Sequence, residues 1–234
     1  MFKNLFTVIV TAMIAIPSIA NERVIGIAEL ESGIPLYREV HLIGETVHTV
    51  KYLTEDDQLI ATNTLDYTDS QTAPGFEQHN LVMQTRQGGR WVDGRYELFS
   101  GNESKPIKFD PPLVASSGFN RFLLANMDSL RAGDPVSFEF AVPDRLNSVR
   151  LKAVPDGSDQ QGHVVVKLKA ASALLSLFVP NIQVTYDADN RLREFNGVSN
   201  IEIDGRKPKV RIRYYYDEEG SSLDRMPQSS PTGE

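Results

Sequence analysis

Short runs in which apolar and polar residues alternate cover much of the chain between residues 24 and 216. Alternation with a period of two is typical of half-buried β-strands, and turn-forming residues separate the runs. Because the connections are short, neighbouring strands are expected to pair antiparallel. The pair Gly88-Gly89 is predicted to be the turn between the fifth and sixth strands. The pattern predicts strands over residues 24–30, 36–43, 46–54, 59–67, 76–86, 90–100, 136–142, 148–154, 163–170, 182–186, 191–195 and 209–216.

One segment, residues 117–132, has helical rather than strand periodicity. Ser116 or Ser117 is suited to cap its start, and Gly133 follows its end. Its large apolar residues fall on one stripe: Phe119, Phe122, Leu123, Met127 and Leu130. We therefore expect one amphipathic helix packed against the sheet. The apolar run at 171–178 is compatible with either a short second helix or a buried strand.

The first predicted hairpin indicates the shape of the sheet. If residues 44–45 form a two-residue turn, Tyr37 faces Tyr52 across the pair, and His41 faces His48. Both faces of this hairpin carry large apolar groups mixed with charges, which a flat surface sheet would separate. The predicted fold class is therefore mainly β: an antiparallel meander forming a strongly curved sheet, a half-barrel or a barrel, with the amphipathic helix packed against it.

The first twenty residues have the layout of a secretory signal peptide. Lys3 supplies a positive start, residues 5–16 are an apolar run, and residues 18–20 have the small-x-small pattern of a cleavage site. The apolar run is shorter than the roughly 20 residues that a permanent membrane helix needs. Cleavage after residue 20 is predicted, and we expect the mature chain in the periplasm.

The domain organisation is predicted from composition along the chain. After the signal peptide (1–20), residues 21–216 are predicted to form a single β-rich domain. The proline-bearing stretch at 100–112 is a candidate boundary between two halves of that domain. Residues 217–234 are rich in Ser, Pro, Gly and Glu, a composition typical of a disordered tail.

Composition also narrows the classes of partner. The chain has 24 Lys and Arg residues against 31 Asp and Glu, for a formal net charge of −7. Nucleic-acid binding depends on a basic surface that displaces counterions, so no nucleic-acid partner is expected. The absence of cysteine excludes disulfides, thiolate zinc sites and cysteine nucleophiles. No integral membrane segment is expected after signal cleavage.

Among titratable residues, the predicted register singles out His41 and His48. Two imidazoles on neighbouring strands could bind a metal or sense pH. A metal site needs three or four converging ligands, however, and the spacing supplies no third one. No G-x-S-x-G nucleophile motif, phosphate-binding glycine loop or calcium loop is present. We therefore predict no catalytic residue, no metal ligand and no cofactor.

Aromatic side chains are the candidates for ligand contacts. Tyr37 and Tyr52 share one face of the first hairpin, and Trp91 lies in the sixth predicted strand. We predict these three residues as ligand-binding residues on the concave face. For Trp91 the alternative is a place in the core, where a single Trp at alternating strand spacing is common.

Two passages together resemble a family of exported bacterial proteins, mostly in Gram-negative organisms, that lacks an assigned activity. The first passage contains Tyr37-Arg38-Glu39, Tyr52-Leu53-Thr54, Leu59-Ile60-Ala61 and Ala73-Pro74-Gly75-Phe76. The second contains Val184-Thr185-Tyr186-Asp187, Leu192, Gly197, Ser199-Asn200-Ile201 and Val210-Arg211-Ile212. The resemblance implies a β-rich periplasmic protein and supplies no catalytic residues.

Three functions are compatible with these features. The leading hypothesis is a non-enzymatic periplasmic protein that binds an apolar small molecule, a lipid or an envelope protein on a curved sheet. One alternative is a hydrolase whose site is assembled only by the tertiary fold. The other is a structural or assembly module of the cell envelope.

Overall fold

The computed structural model describes residues 22–158, 162–170, 182–203 and 205–216. The predicted signal peptide, the apolar run at 171–178 and the predicted tail lie outside these residues. The helices are α1 (Gly118–Ala125) and α2 (Met127–Ala132), and a 3₁₀ turn spans Pro143–Arg145. The strands are β1 (Glu22–Glu29), β2 (Pro35–Ile43), β3 (Val47–Leu53), β4 (Leu59–Asp66), β5 (Gly75–Asn80), β6 (Thr85–Val92), β7 (Arg95–Ser100), β8 (Glu103–Pro106), β9 (Leu113–Val114), β10 (Val136–Val142), β11 (Asn147–Ser158), β12 (Val164–Ala170), β13 (Ile182–Tyr186), β14 (Leu192–Val198) and β15 (Lys209–Tyr216).

These strands form one sheet with two edges. Strands β1 to β8 form an antiparallel meander that runs outward to an edge at β8. The chain then crosses to the opposite edge at β9, which pairs parallel with β10, and meanders inward to β15. β15 pairs antiparallel with β1, so the first and last strands are neighbours in the middle of the sheet. The predicted mainly β antiparallel meander is confirmed, and the sheet is open among the described strands.

The sheet curves enough to bring the β9 edge against the connection between β4 and β5. The Thr72 hydroxyl donates to the carbonyl oxygen of Leu113 at 2.8 Å. The Ala115 N–H in turn donates to the carbonyl oxygen of Thr72 at 2.9 Å. These bonds satisfy backbone groups at an edge strand that would otherwise lack partners.

The prediction of two long strands over 76–86 and 90–100 was wrong. Three strands occupy this region, and Gly88 and Gly89 lie inside β6 instead of forming a turn. A Cβ at Gly88 would lie 2.1 Å from the Phe76 carbonyl oxygen, and one at Gly89 would lie 2.6 Å from the Tyr96 hydroxyl. The two glycines are therefore explained by close strand and side-chain approach rather than by a reversal of the chain.

The register of the first hairpin also differs from the prediction. Glu39 pairs with Tyr52 and Ile43 with His48, because the connection is centred on residues 45 and 46 instead of residues 44 and 45. The Gly44 N–H donates to the Val47 carbonyl oxygen at 2.8 Å and closes this connection. The register shifts by two residues, and since side chains alternate with a period of two, every residue keeps its predicted face.

The predicted single helix is divided into α1 and α2 at Asn126. The side-chain amide of Asn126 donates to the Phe122 carbonyl oxygen at 2.8 Å, and the backbone leaves helical geometry at φ −113°. Gly133 ends α2 at φ +92°, as predicted. The expected serine cap was wrong, because the Ser117 side chain makes no capping bond and Ser116 has φ +47°. Neither described helix has the length and apolar character needed to span a membrane.

Two large apolar clusters fill the inner face, which we define as the face of the sheet that carries Tyr37 and Tyr52. We call β1–β8 the first half of the sheet and β9–β15 the second half. The cluster on the second half joins both helices to β9–β14, with the rings of Phe122 and Phe138 4.8 Å apart. The cluster on the first half includes Tyr37, Tyr52 and Leu65. A smaller apolar cluster lies on the opposite face of β1 and β2. The helices therefore cover the inner face of the second half, while side chains of the sheet fill much of the inner face of the first half.

Candidate functional site

A segment between β14 and β15 crosses the inner face of the first half. We call residues 199–203 the strap. The hydroxyls of Ser199 and Tyr37 lie 3.0 Å apart, and the Asn200 side-chain amide donates to the Tyr52 hydroxyl at 2.7 Å. Tyr37 and Tyr52 are themselves in edge-to-face contact, with ring centroids 5.9 Å apart. The structure thus brings together two of the three predicted ligand-binding residues, and both hold the strap.

Two side-chain amides of β5 bind the main chain of the strap. Gln78 Nε2 donates to the Asn200 carbonyl oxygen at 3.0 Å, and Asn80 Nδ2 donates to the Glu202 carbonyl oxygen at 2.9 Å. Because residues two apart in a strand share a face, the two donors match two carbonyl groups that are also two residues apart. Gln78 and Asn80 therefore hold the strap through its backbone carbonyl groups.

A line of buried polar groups lies beside the strap contacts. Glu39 is only 3% exposed, and its Oε2 lies 2.9 Å from His41 Nε2. His41 Nδ1 lies 3.1 Å from His48 Nε2. The Tyr214 hydroxyl donates to Glu39 Oε2 at 3.3 Å. The carboxylate therefore has partners from β2 and β15, as a buried charge requires.

Burial changes the proton affinity of several groups in this cluster. The pKa of His48 is lowered to about 3, first by burial and then by His41 and Arg121. The neutral form of His48 is therefore favoured, and one of its ring nitrogens can accept a hydrogen bond. Burial, reinforced by Glu39, raises the pKa values of Tyr37 and Tyr214, which keeps both hydroxyls protonated.

The paired histidines are not part of a larger cluster of metal-ligating side chains among the described residues. The described residues contain no group of three or more His, Asp or Glu side chains arranged to hold a metal ion. His41 and His48 are brought together as predicted, but as diagonal neighbours instead of direct partners. His79 lies on β5 and pairs with Thr62 and Arg86, away from that pair.

A polar cleft opens next to the strap, between β5–β7 and the 3₁₀ turn. Its volume is about 160 Å³. Ile201 is the single apolar residue among those that line it, and the lining contains no aromatic residue. We call this space the polar cleft; it is lined by Gln78, Asn80, Thr85, Arg86, Gln87, Ser100, Asp144, Asn200, Ile201, Glu202 and Lys207.

The third predicted ligand-binding residue, Trp91, has a different environment. Its indole N–H donates to the Ala73 carbonyl oxygen at 2.9 Å, and its ring packs against Tyr96 and Phe109. It does not line the polar cleft. These contacts are those of the core residue considered as the alternative, and ligand binding by Tyr37, Tyr52 and Trp91 stays a prediction.

The amides of Gln78, Asn80 and Gln87 were not singled out from the sequence. A signal existed, because Gln78 and Asn80 alternate in phase with Phe76 and therefore belong to the inner face. One aromatic residue, Phe76, and two amide residues, Gln78 and Asn80, at alternating positions predict a partly polar inner surface. What they bind could not be predicted, because the strap lies 122 residues further along the chain.

A crystal structure of a β-barrel-like protein from Brucella abortus, assigned to the domain of unknown function DUF1849, has a similar fold. The TM-score is 0.53 and the sequence identity is 12%, over 84% of this chain and 98% of that chain. The likeness extends to fold alone at this identity. No family model and no curated protein matches the sequence.

Proposed function

We propose that this chain is an exported, non-enzymatic protein of the bacterial cell envelope that binds an envelope partner at the polar cleft. The observation that carries the proposal is the cleft itself, an open polar space beside a strap that the same strands already bind. Export is supported by the signal-like composition of residues 1–20.

A partner protein fits this surface better than an apolar small molecule or lipid. The inner face is filled by Tyr37, Tyr52, the strap and the neighbouring core residues. The polar cleft has Ile201 as its one apolar residue, whereas pockets for small molecules are mostly apolar. Its volume of about 160 Å³ is also below the roughly 300–1,000 Å³ of typical small-molecule pockets.

Binding is favoured over hydrolysis by the position of the histidines. His41 meets a carboxylate at Glu39, which is one pairing that a hydrolase would use. Neither residue lines the polar cleft, and the His41 side chain is only 13% exposed. A substrate in the cleft would therefore not reach this pair.

Site-specific photo-crosslinking in cells tests the proposal. A photoreactive amino acid at Ser100, which lines the cleft, is compared with one at Thr64, which is exposed on the opposite face of the sheet. We expect a discrete covalent adduct with one envelope protein from Ser100 alone, and less adduct when Gln87→Ala is added. No adduct from Ser100, or equal adducts from both positions, would contradict partner binding at the cleft.

Export has its own test. Intact mass measurement of the periplasmic protein is expected to give a chain that starts at Asn21, because a signal peptidase cleaves after the small-x-small pattern. Recovery of the full 234-residue chain from the cytoplasm would contradict this part of the proposal.

A further inference from the structure

The geometry points to an extended polypeptide segment as the occupant of the polar cleft, bound through its main chain alongside the strap. This inference rests on the proposed binding function and specifies the chemistry of the partner. The strap supplies the precedent, because Gln78 and Asn80 already bind two carbonyl groups of the chain itself.

The next strands repeat this polar arrangement beside the strap. Gln78 is in register with Gln87 on β6, and Asn80 is in register with Thr85. Gln87 in turn pairs with Ser100 on β7. Paired residues share a face, and neighbouring strands lie about 4.8 Å apart. Thr85, Gln87 and Ser100 therefore form a second row of hydrogen-bonding groups, beside the row of Gln78 and Asn80 that the strap occupies. We call this second row the lane.

A hydrogen bond orients the amide at the start of this lane. Gln87 Nε2 donates to Gln78 Oε1 at 2.7 Å, while Gln78 Nε2 donates to the strap. Because Gln87 Nε2 is the donor in this bond, the side-chain oxygen Oε1 of Gln87 is left to accept a hydrogen bond from a backbone N–H of the ligand. The Thr85 and Ser100 hydroxyls can donate to backbone carbonyl groups. The lane thus offers both the acceptor and the donors that a polypeptide main chain needs.

The charges around the cleft favour a main chain over a strongly charged ligand. Lys207 and Asp144 form an ion pair at its border, whereas Arg86 pairs with Glu77 on the opposite face of the sheet. Glu202 adds a carboxylate on the strap side. Both signs of charge are present at the cleft and its cation, Lys207, is paired, so neither an anion nor a cation is strongly selected. An uncharged backbone with short polar side chains is the best match.

A saccharide is the competing polar ligand. Sugar rings are commonly bound by stacking on aromatic side chains, which present flat apolar faces. No aromatic residue lines the polar cleft, and the nearby rings of Tyr37 and Tyr52 are buried under the strap. The described surface therefore has hydrogen-bonding groups for a polypeptide but no platform for a sugar.

Nuclear magnetic resonance titration of the mature protein tests the inference. The probes are a hexapeptide of alternating alanine and serine with blocked ends, and a tetramer of N-acetylglucosamine at the same concentrations. We expect the peptide to shift the amide signals of Thr85, Gln87 and Ser100 in a saturable manner, and the saccharide to leave them unchanged. Shifts caused by the saccharide alone, or by neither probe, would overturn the polypeptide assignment.

Matched tryptophan variants locate the binding. Ser100→Trp fills the cleft and is expected to raise the peptide concentration for half-saturation by about tenfold or more, which corresponds to about 1.4 kcal/mol. Thr64→Trp adds the same bulk on the opposite, exposed face and should leave that concentration within about twofold. Equal effects of the two variants would contradict binding in the cleft.

The two levels of the proposal fail separately. Adducts at Ser100 in cells, without any peptide-induced shifts, would support an envelope partner at the cleft. They would reject the inference that the cleft recognises a polypeptide main chain. Peptide-induced shifts without adducts would support the chemistry of the cleft and count against an envelope protein as the partner. Absence of both would reject both.

Discussion

At the scale of single residues, close contacts in β6 leave no room for a side chain at Gly88 or Gly89. A Cβ at Gly88 would meet the Phe76 carbonyl oxygen at 2.1 Å, which is backbone and cannot move without disturbing β5. By contrast, a Cβ at Gly75 would have its nearest neighbour, the Asp66 carbonyl oxygen, at 3.9 Å. Both glycines are strand residues, so the two positions differ in the room available to a side chain and not in secondary structure.

Gly88→Ala is expected to lower the free energy of unfolding by about 3 kcal/mol, since β5 and β6 must separate to admit a methyl group. Gly75→Ala, the matched control, should change it by less than about 0.5 kcal/mol. Urea denaturation followed by circular dichroism measures both values. Equal stability of the two variants would show that the close approach at Gly88 is not a constraint.

His48 predicts a specific pH dependence of stability. Its folded pKa of about 3 lies below the ordinary value of 6.5, because burial, His41 and Arg121 disfavour the charged form. Between these two values the unfolded chain binds a proton that the folded chain does not. The free energy of unfolding therefore falls as the pH falls from 6.5, by up to about 1.4 kcal/mol per pH unit from this residue.

His48→Gln removes this titration while keeping a polar side chain. We expect urea denaturation between pH 6 and 4 to show a shallower loss of stability in this variant than in the parent protein. His79→Gln is the control for removing an imidazole elsewhere on the sheet. An unchanged slope in His48→Gln would mean that His48 is protonated in the folded state.

At the scale of elements, the strap acts as an inserted segment that is held by side chains instead of a strand ladder. Its contacts come from β2, β3 and β5, which are all in the first half, although it follows β14 in the second half. The hydroxyl pair of Tyr37 and Ser199 is buried on both sides. Removal of either hydroxyl leaves its partner without that bond and away from water.

A double-mutant cycle on Tyr37→Phe and Ser199→Ala measures this contact. Each single variant is expected to lose about 1–2 kcal/mol of unfolding free energy. The double variant should lose less than the sum, with a coupling of about 1 kcal/mol, because one bond is lost once. Additive losses in urea denaturation would indicate that the two hydroxyls do not interact.

At the scale of the whole molecule, pairing of β1 with β15 joins the two halves of the sheet. Residues from Val24 to Glu29 pair with residues from Tyr216 to Arg211, and Glu29 forms an ion pair with Arg213. β15 also contributes the buried side chains of Val210 and Ile212 to the core of the first half. The first and last described strands, which are far apart in sequence, therefore lie side by side in the middle of the sheet.

A chain that ends at Pro208 is expected to lose cooperative unfolding and to aggregate, because β1 and β14 would become unpaired edges. A chain that ends at Tyr216 keeps β15 and serves as the control. Size-exclusion chromatography and thermal denaturation compare the two. A monomeric, cooperatively unfolding chain without β15 would contradict a central role for this pairing.

The amino-acid sequence by itself determined most of the strands outside residues 76–114 and which side chains share a face, because both depend on a local period of two. Tyr37 and Tyr52, and likewise His41 and His48, came together even though the hairpin register differed by two residues. The tertiary structure alone decided the pairing of β1 with β15, the position of the strap and the polar cleft. These features join residues more than a hundred positions apart, and no local pattern encodes which distant strand or carbonyl group will meet them.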